Sequence, residues 1–108
     1  MLLNSVPVKV NGEELEIVVN VGSMLEVEKV AKKGFIKVLA EMEQGDLLPL
    51  VILLGACLRK DGKAVGRAYL ENMSFDEVEV LIDPFMEAIE KAFPKNNSKN
   101  VKATQKTE

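Results

Sequence analysis

With 108 residues, 47% of them hydrophobic and 29% charged, the chain has the size and balance of one globular domain that can bury a modest core. It contains no His and one Cys, Cys57, so neither a Cys/His zinc site nor a disulfide framework can be built, and a lone thiol points to a reducing compartment. The formal charge of −3 combines an acidic body, residues 1–93 with ten Lys or Arg against sixteen Asp or Glu, and a basic tail, residues 94–108 with four Lys against Glu108. An acidic body is repelled by phosphate backbones, which argues against nucleic acid as a partner.

The N-terminus shows neither a basic region ahead of an apolar stretch nor a small-residue cleavage site, so no signal peptide is expected. The first element is a β-hairpin over residues 6–19. Asn11-Gly12 sits between two alternating runs, and both residues tolerate the positive φ that a type I′ turn demands. The turn sets Val10 opposite Glu13, Val8 opposite Leu15 and Val6 opposite Ile17. Val6, Val8, Val10, Leu15, Ile17 and Val19 then share one face, with Lys9, Glu14 and Glu16 on the other. An isolated two-stranded ribbon is marginal in water, so helices must cover the apolar face.

Ser23 and Glu26 fit a capping box, which predicts a helix from Met24. Gly34 interrupts it after Lys32 and Lys33. Phe35, Val38, Leu39 and Met42 recur at helical spacing, which carries a second helix, or a continuation of the first, to about Gln44, where Gly45 ends it. Asp46 can cap the next helix, with Pro49 tolerated in its first turn. Leu47 to Leu58 is apolar on nearly every side, and at about a dozen residues it is too short for a membrane span, which needs roughly twenty. Such a helix is surrounded by its own domain, or some of its surface is kept for another subunit or a partner. Arg59 to Gly62 are expected to end it, and a short helix follows from about Ala64 to Asn72.

Ser74 and Glu77 form a second capping box. Val78, Leu81, Ile82, Phe85, Ile89 and Phe93 then make an apolar stripe at helical spacing, which Pro84 should kink or split, with Asp83 available as a new N-cap. On the opposite face Asp76, Glu79, Asp83, Glu87 and Glu90 read as the solvated side of an amphipathic helix, or as a surface for a basic partner or the chain's own Lys tail. From Pro94 the sequence has one aliphatic Val and no aromatic, cannot offset its ordering entropy and is expected to be disordered. The fold class is therefore α+β: one domain at residues 1–93, an N-terminal hairpin on a mostly α-helical body with helices over 24–93, and a tail at 94–108.

No constellation for catalysis is legible. Without His, a nucleophile would need an unusual base, and Cys57 lies in the most apolar segment, where burial raises a thiol pKa and leaves it inert. The glycines fall into neither a G-x-G-x-x-G nor a P-loop spacing, and no cofactor is implied. The chain reads as a non-enzymatic, protein-binding domain. The residues picked out for binding are Leu50, Ile52, Leu53 and Leu54 of the central helix, with Phe85, Ile89 and Phe93 of the last one.

The order of segments, VKVNGEELEIVV, SMLEVEKV, GDLLPLVILLGACLRKDGKAV and FDEVEVLIDPFMEAIEKAF, resembles tail assembly chaperones of long-tailed bacteriophages and related prophages over residues 1–93. The resemblance implies a protein of the host cytoplasm that binds the tape-measure protein, keeps its long apolar helices from aggregating while tail-tube subunits polymerise around them, and is absent from the finished virion. A long client that needs many copies, together with apolar surface to spare, leads to the expectation of a homo-oligomer, and the short central helix to that of no membrane partner. In many members of that family there is also a longer product made by ribosomal frameshifting. Lys95-Asn96 and Lys99-Asn100 permit the slippery codons that such a shift requires. A structural tail or connector component retained in the virion, or a cellular adaptor domain, is the alternative.

Overall fold

Asn11 and Gly12 take φ of 51° and 84° and close the first hairpin of the computed structural model, which describes residues 5–93. Strands β1 (Ser5–Val10) and β2 (Glu13–Val18) pair antiparallel in the expected register, Val10 with Glu13, Val8 with Leu15 and Val6 with Ile17. A two-residue turn makes Val10 and Glu13 a hydrogen-bonded pair, so Pro7, opposite Glu16, falls at a position whose backbone nitrogen faces away from β2. That is where a residue without an N–H costs nothing, and it breaks the row of donors along the free edge of the sheet.

The helices depart from expectation first at residue 20. Helix α1 runs Val21–Ala31 and is capped by Asn20, whose Oδ1 accepts from the Ser23 N–H at 2.8 Å. Ser23 is therefore inside the first turn, fully buried, and its hydroxyl donates to the Val18 carbonyl at 2.6 Å. Asn and Ser are comparable caps, and the one directly after the strand is taken, while Glu26 stays exposed. Helix α2 (Phe35–Glu43) has no side-chain cap of its own at Gly34. The Glu28 carboxylate of α1 accepts from the Phe35 N–H at 2.9 Å and does that work from the neighbouring helix.

Gly45, at φ 100°, turns the chain into α3 (Leu47–Cys57), which begins at Asp46 as read from the sequence, although the Asp46 side chain makes no capping hydrogen bond. Cys57 leads directly into β3 (Leu58–Lys60), and Asp61-Gly62, at φ 54° and 83°, repeats the geometry of the first turn to form a second hairpin with β4 (Lys63–Ala64). The expected helix end is thus a pair of short strands. Leu58 pairs with Ile17 and Arg59 with Glu16, giving one antiparallel sheet in the order β1-β2-β3-β4. The short helix α4 is Arg67–Glu71. The Ser74/Glu77 capping box is complete, with both reciprocal hydrogen bonds, and opens α5 (Phe75–Glu79). The chain splits ahead of Pro84. Helix α6 (Ile82–Ala92) starts after Leu81, which leaves Pro84 and Asp83 in its first turn, and Leu81 rather than Asp83 holds the N-cap position.

Helix α6 lies across β1 and β2 and covers their apolar face, burying Phe85, Ala88 and Ile89. Helix α3 packs against β2, β3 and β4, with α1, α2 and α4 around it. Its closest approach is at Gly55, whose carbonyl accepts from the Gly66 N–H at 2.9 Å. A Cβ at Gly55 would stand 2.9 Å from both the Gly66 carbonyl carbon and the Arg67 nitrogen. At the other end of the body the Phe93 ring stacks on Phe35 with centroids 6.3 Å apart, tying the last described residue to α2. The tail at 94–108, expected to be disordered, lies outside the described residues, as do both Lys-Asn pairs.

Two outcomes follow for stability. In an unobstructed helix Gly→Ala gains up to about 1 kcal/mol, but Gly55→Ala must push the Gly66–Arg67 backbone away and should instead cost about 1–3 kcal/mol. Urea denaturation should show a lower midpoint with an unchanged slope. A chain ended after Phe93 should unfold at the same urea concentration as the full-length protein, whereas one ended after Ala92 loses the Phe35 stack and should unfold earlier.

Candidate functional site: an apolar groove along the central helix

Of the residues picked out from the sequence, Leu50, Ile52, Leu53, Leu54, Phe85 and Ile89 are buried, and only Phe93 is exposed, at 41%. Leu53, Leu54 and Phe85 are wholly enclosed, and a partner reaching them would have to open the core. An all-apolar helix carries no period that tells which side stays open, and here the open side is set by where α1, α2 and α4 stop. Ile52 of that set lines a surface depression.

The depression is a groove beside α3. At the start of α3 it is wide, with a volume of about 580 Å³, and is lined by Val30 and Ala31 of α1, Val38 of α2, and Leu47, Leu48, Pro49 and Ile52 of α3. Toward the end of α3 it narrows to about 160 Å³ over Gly55, Ala56, Ala64 and Gly66. Val30, Ile52 and Arg67 border both hollows, which therefore adjoin. Together they follow α3 from Asp46 to Ala56, about 15 Å at 1.5 Å per residue. Leu47 and Leu48 are 53% and 54% exposed, and Val30 is exposed beside them. These three are what reading the sequence for a binding surface missed. The only signal was their place at the ends of their helices, Leu47 and Leu48 between Asp46 and Pro49, where neighbours thin out.

The charged residues lining the groove are Lys33, Glu41, Asp46 and Arg67 in its wide part and Glu26 and Arg67 in its narrow part. Lys33 Nζ reaches both Glu41 oxygens at 2.9 and 3.1 Å, and Arg67 Nε reaches Glu71 at 2.7 Å. The carboxylates of Glu26 and Asp46 have no hydrogen-bond or ion-pair partner among the described residues. Ion pairs this exposed are worth little in stability, but they settle which charges remain uncompensated.

A second hollow, about 570 Å³, lies on the outer face of the sheet and is open and charged, with Lys9, Glu14, Glu16 and Arg59 on its walls. Arg59 Nη2 donates to the Ser23 hydroxyl at 3.2 Å, while its buried Nε has no partner. Next to this node is Cys57, fully buried. Burial pushes its thiol from 9.0 up to about 12, against smaller opposing pulls from the Ser23 hydroxyl and the Arg59 charge, so it keeps its proton at neutral pH. Near the hairpin turns the Glu13 carboxylate accepts from Lys60 at 2.7 Å and Tyr69 at 3.0 Å, which holds it below the usual carboxylate range. This exposed pair ties the two hairpins together. Among the described residues no three His, Cys, Asp or Glu side chains come together as a metal-binding group, and no helix is long and apolar enough to cross a membrane.

Comparison of the chain with protein-family models, with curated proteins and with solved structures finds no match.

The Cys57 environment has a measurable pH signature. Below pH 9 folded and unfolded chains both hold the proton, and the contribution of the raised pKa is fully present. Between pH 9 and about 12 only the unfolded chain releases it, so stability falls as pH rises, by on the order of 1 kcal/mol per unit. Urea titrations from pH 8 to 10.5 should show a steeper decline for the native chain than for Cys57→Ala, whatever the difference between the two at pH 7.

Proposed function

We propose that the chain is a tail assembly chaperone, a non-catalytic binder that holds the tape-measure protein of a long-tailed bacteriophage or prophage in the host cytoplasm, keeps it soluble and supports assembly of the tail tube around it. The observation that carries the reading is the groove beside α3, where Val30, Leu47 and Leu48 leave apolar surface in water next to Ile52. A groove about 15 Å long matches about ten residues of helix, and an amphipathic helix seated by its apolar face is a recurring mode of capture. At about 25 cal/mol per Å² of apolar surface removed from water, a few leucine-sized contacts give useful affinity without a chemical step. A client made of long apolar helices offers many such segments, so several copies of the chaperone would bind along it. The order of sequence segments supports the same assignment.

Co-expression tests it. The tape-measure protein, insoluble when made alone, should appear in the soluble fraction with this chain. Leu47→Ser/Leu48→Ser should lose most of that rescue while unfolding within about 1 kcal/mol of the native protein, because both side chains are already half exposed. A tape-measure protein that stays insoluble beside abundant folded chaperone would refute the assignment, and so would finding the chain in purified virions by mass spectrometry.

A further inference from the structure

The groove has a charge pattern and a taper that together specify what fits it. Its lining cations are each paired with a carboxylate, Lys33 with Glu41 and Arg67 with Glu71. Its unspent charges are two carboxylates, Glu26 beside the narrow end and Asp46 at the wide end. Lys29 and Lys37 belong to the walls but do not line the groove, and the body as a whole carries sixteen acidic against ten basic residues. The floor accepts bulk over Leu48 and Ile52 and little over Gly55 and Ala56, where the space falls to about a quarter.

We propose that the groove recognises a basic amphipathic helix of about three turns, with a large apolar anchor seated over Leu48 and Ile52, a small side chain over Gly55 and Ala56, and a Lys or Arg at each end facing Asp46 and Glu26. The proposal deepens the reading above and rests on the groove being the client site. A helix with acidic ends would set like charges against both carboxylates, and one with a large residue at the narrow end would be held off the floor. Specificity thus comes from what the ends and the taper reject as much as from what the anchor gains.

The test uses synthetic helical peptides of about fifteen residues that share one apolar face, Leu, Leu, Ala at i, i+4 and i+7, and differ only in carrying Lys or Glu at the two ends. Binding to the full-length ¹⁵N-labelled protein is followed by amide shifts. The Lys-ended peptide should shift residues around Val30, Leu48 and Ile52 and bind about tenfold more tightly than the Glu-ended one. That preference should disappear in Glu26→Gln/Asp46→Asn, which alters two exposed side chains and keeps a capping residue at position 46, and it should shrink in about 1 M salt. Replacing the Ala by Leu should weaken binding. Equal binding of the two peptides in the groove overturns the basic-helix proposal and leaves the groove as the client site. Shifts elsewhere, or no binding by either peptide, overturn the groove itself and the proposal with it, while rescue of the tape-measure protein on co-expression is read independently.

Discussion

A helix with no polar side must be enclosed, and the architecture follows from enclosing α3. Leu53, Leu54 and Cys57 have no exposed surface, and the helix touches α1, α2, α4 and three of the four strands. Enclosure needs close approach, which Gly55 provides by bringing its own backbone against Gly66 and Arg67. The helix then passes without a loop into β3, so its last turn is fixed by the pairing of Leu58 with Ile17 and cannot slide. Sheet and helical layer are thereby one unit, and the polar groups at the seam, Ser23, Asn20 and Arg59, are the ones the join requires.

The same enclosure is incomplete at the start of α3. Helices α1 and α2 meet in the segment around Gly34, where Glu28 caps the second from the side of the first, and α4 is too short to reach across. The unclosed seam becomes the groove. Its apolar lining is thus a direct consequence of a helix with more apolar surface than five short helices and four strands can cover. A domain that buried α3 entirely would gain stability and leave no apolar surface open beside this helix, the usual exchange between a closed core and a usable surface.

How much of this was legible in the sequence varied with how local the determining chemistry is. The first hairpin and its register follow from Asn11-Gly12 and the alternation beside it, and the Ser74/Glu77 capping box and the break near Pro84 follow from local hydrogen bonding and the missing proline N–H. The start of α1 was misplaced because Asn20 and Ser23 are both good caps, and burial of Ser23 against the Val18 carbonyl, a tertiary fact, decides between them. The second hairpin carried the same kind of signal, Asp61-Gly62, but its strands of three and two residues are too short to show alternation. The groove was hidden for a different reason: composition shows that apolar surface is abundant, and only packing shows which of it remains uncovered.

The central claim is that an apolar partner helix lies along α3 between α1 and α4. Hydrogen–deuterium exchange of the protein, free and mixed with the tape-measure protein proposed as its client, tests it most directly, since it reports backbone protection along the whole chain. The account predicts new protection in residues 26–33 and 46–56, with the strands β1 and β2 unchanged. Protection that appears instead on the outer face of the sheet, around Lys9, Glu14 and Glu16, would contradict it.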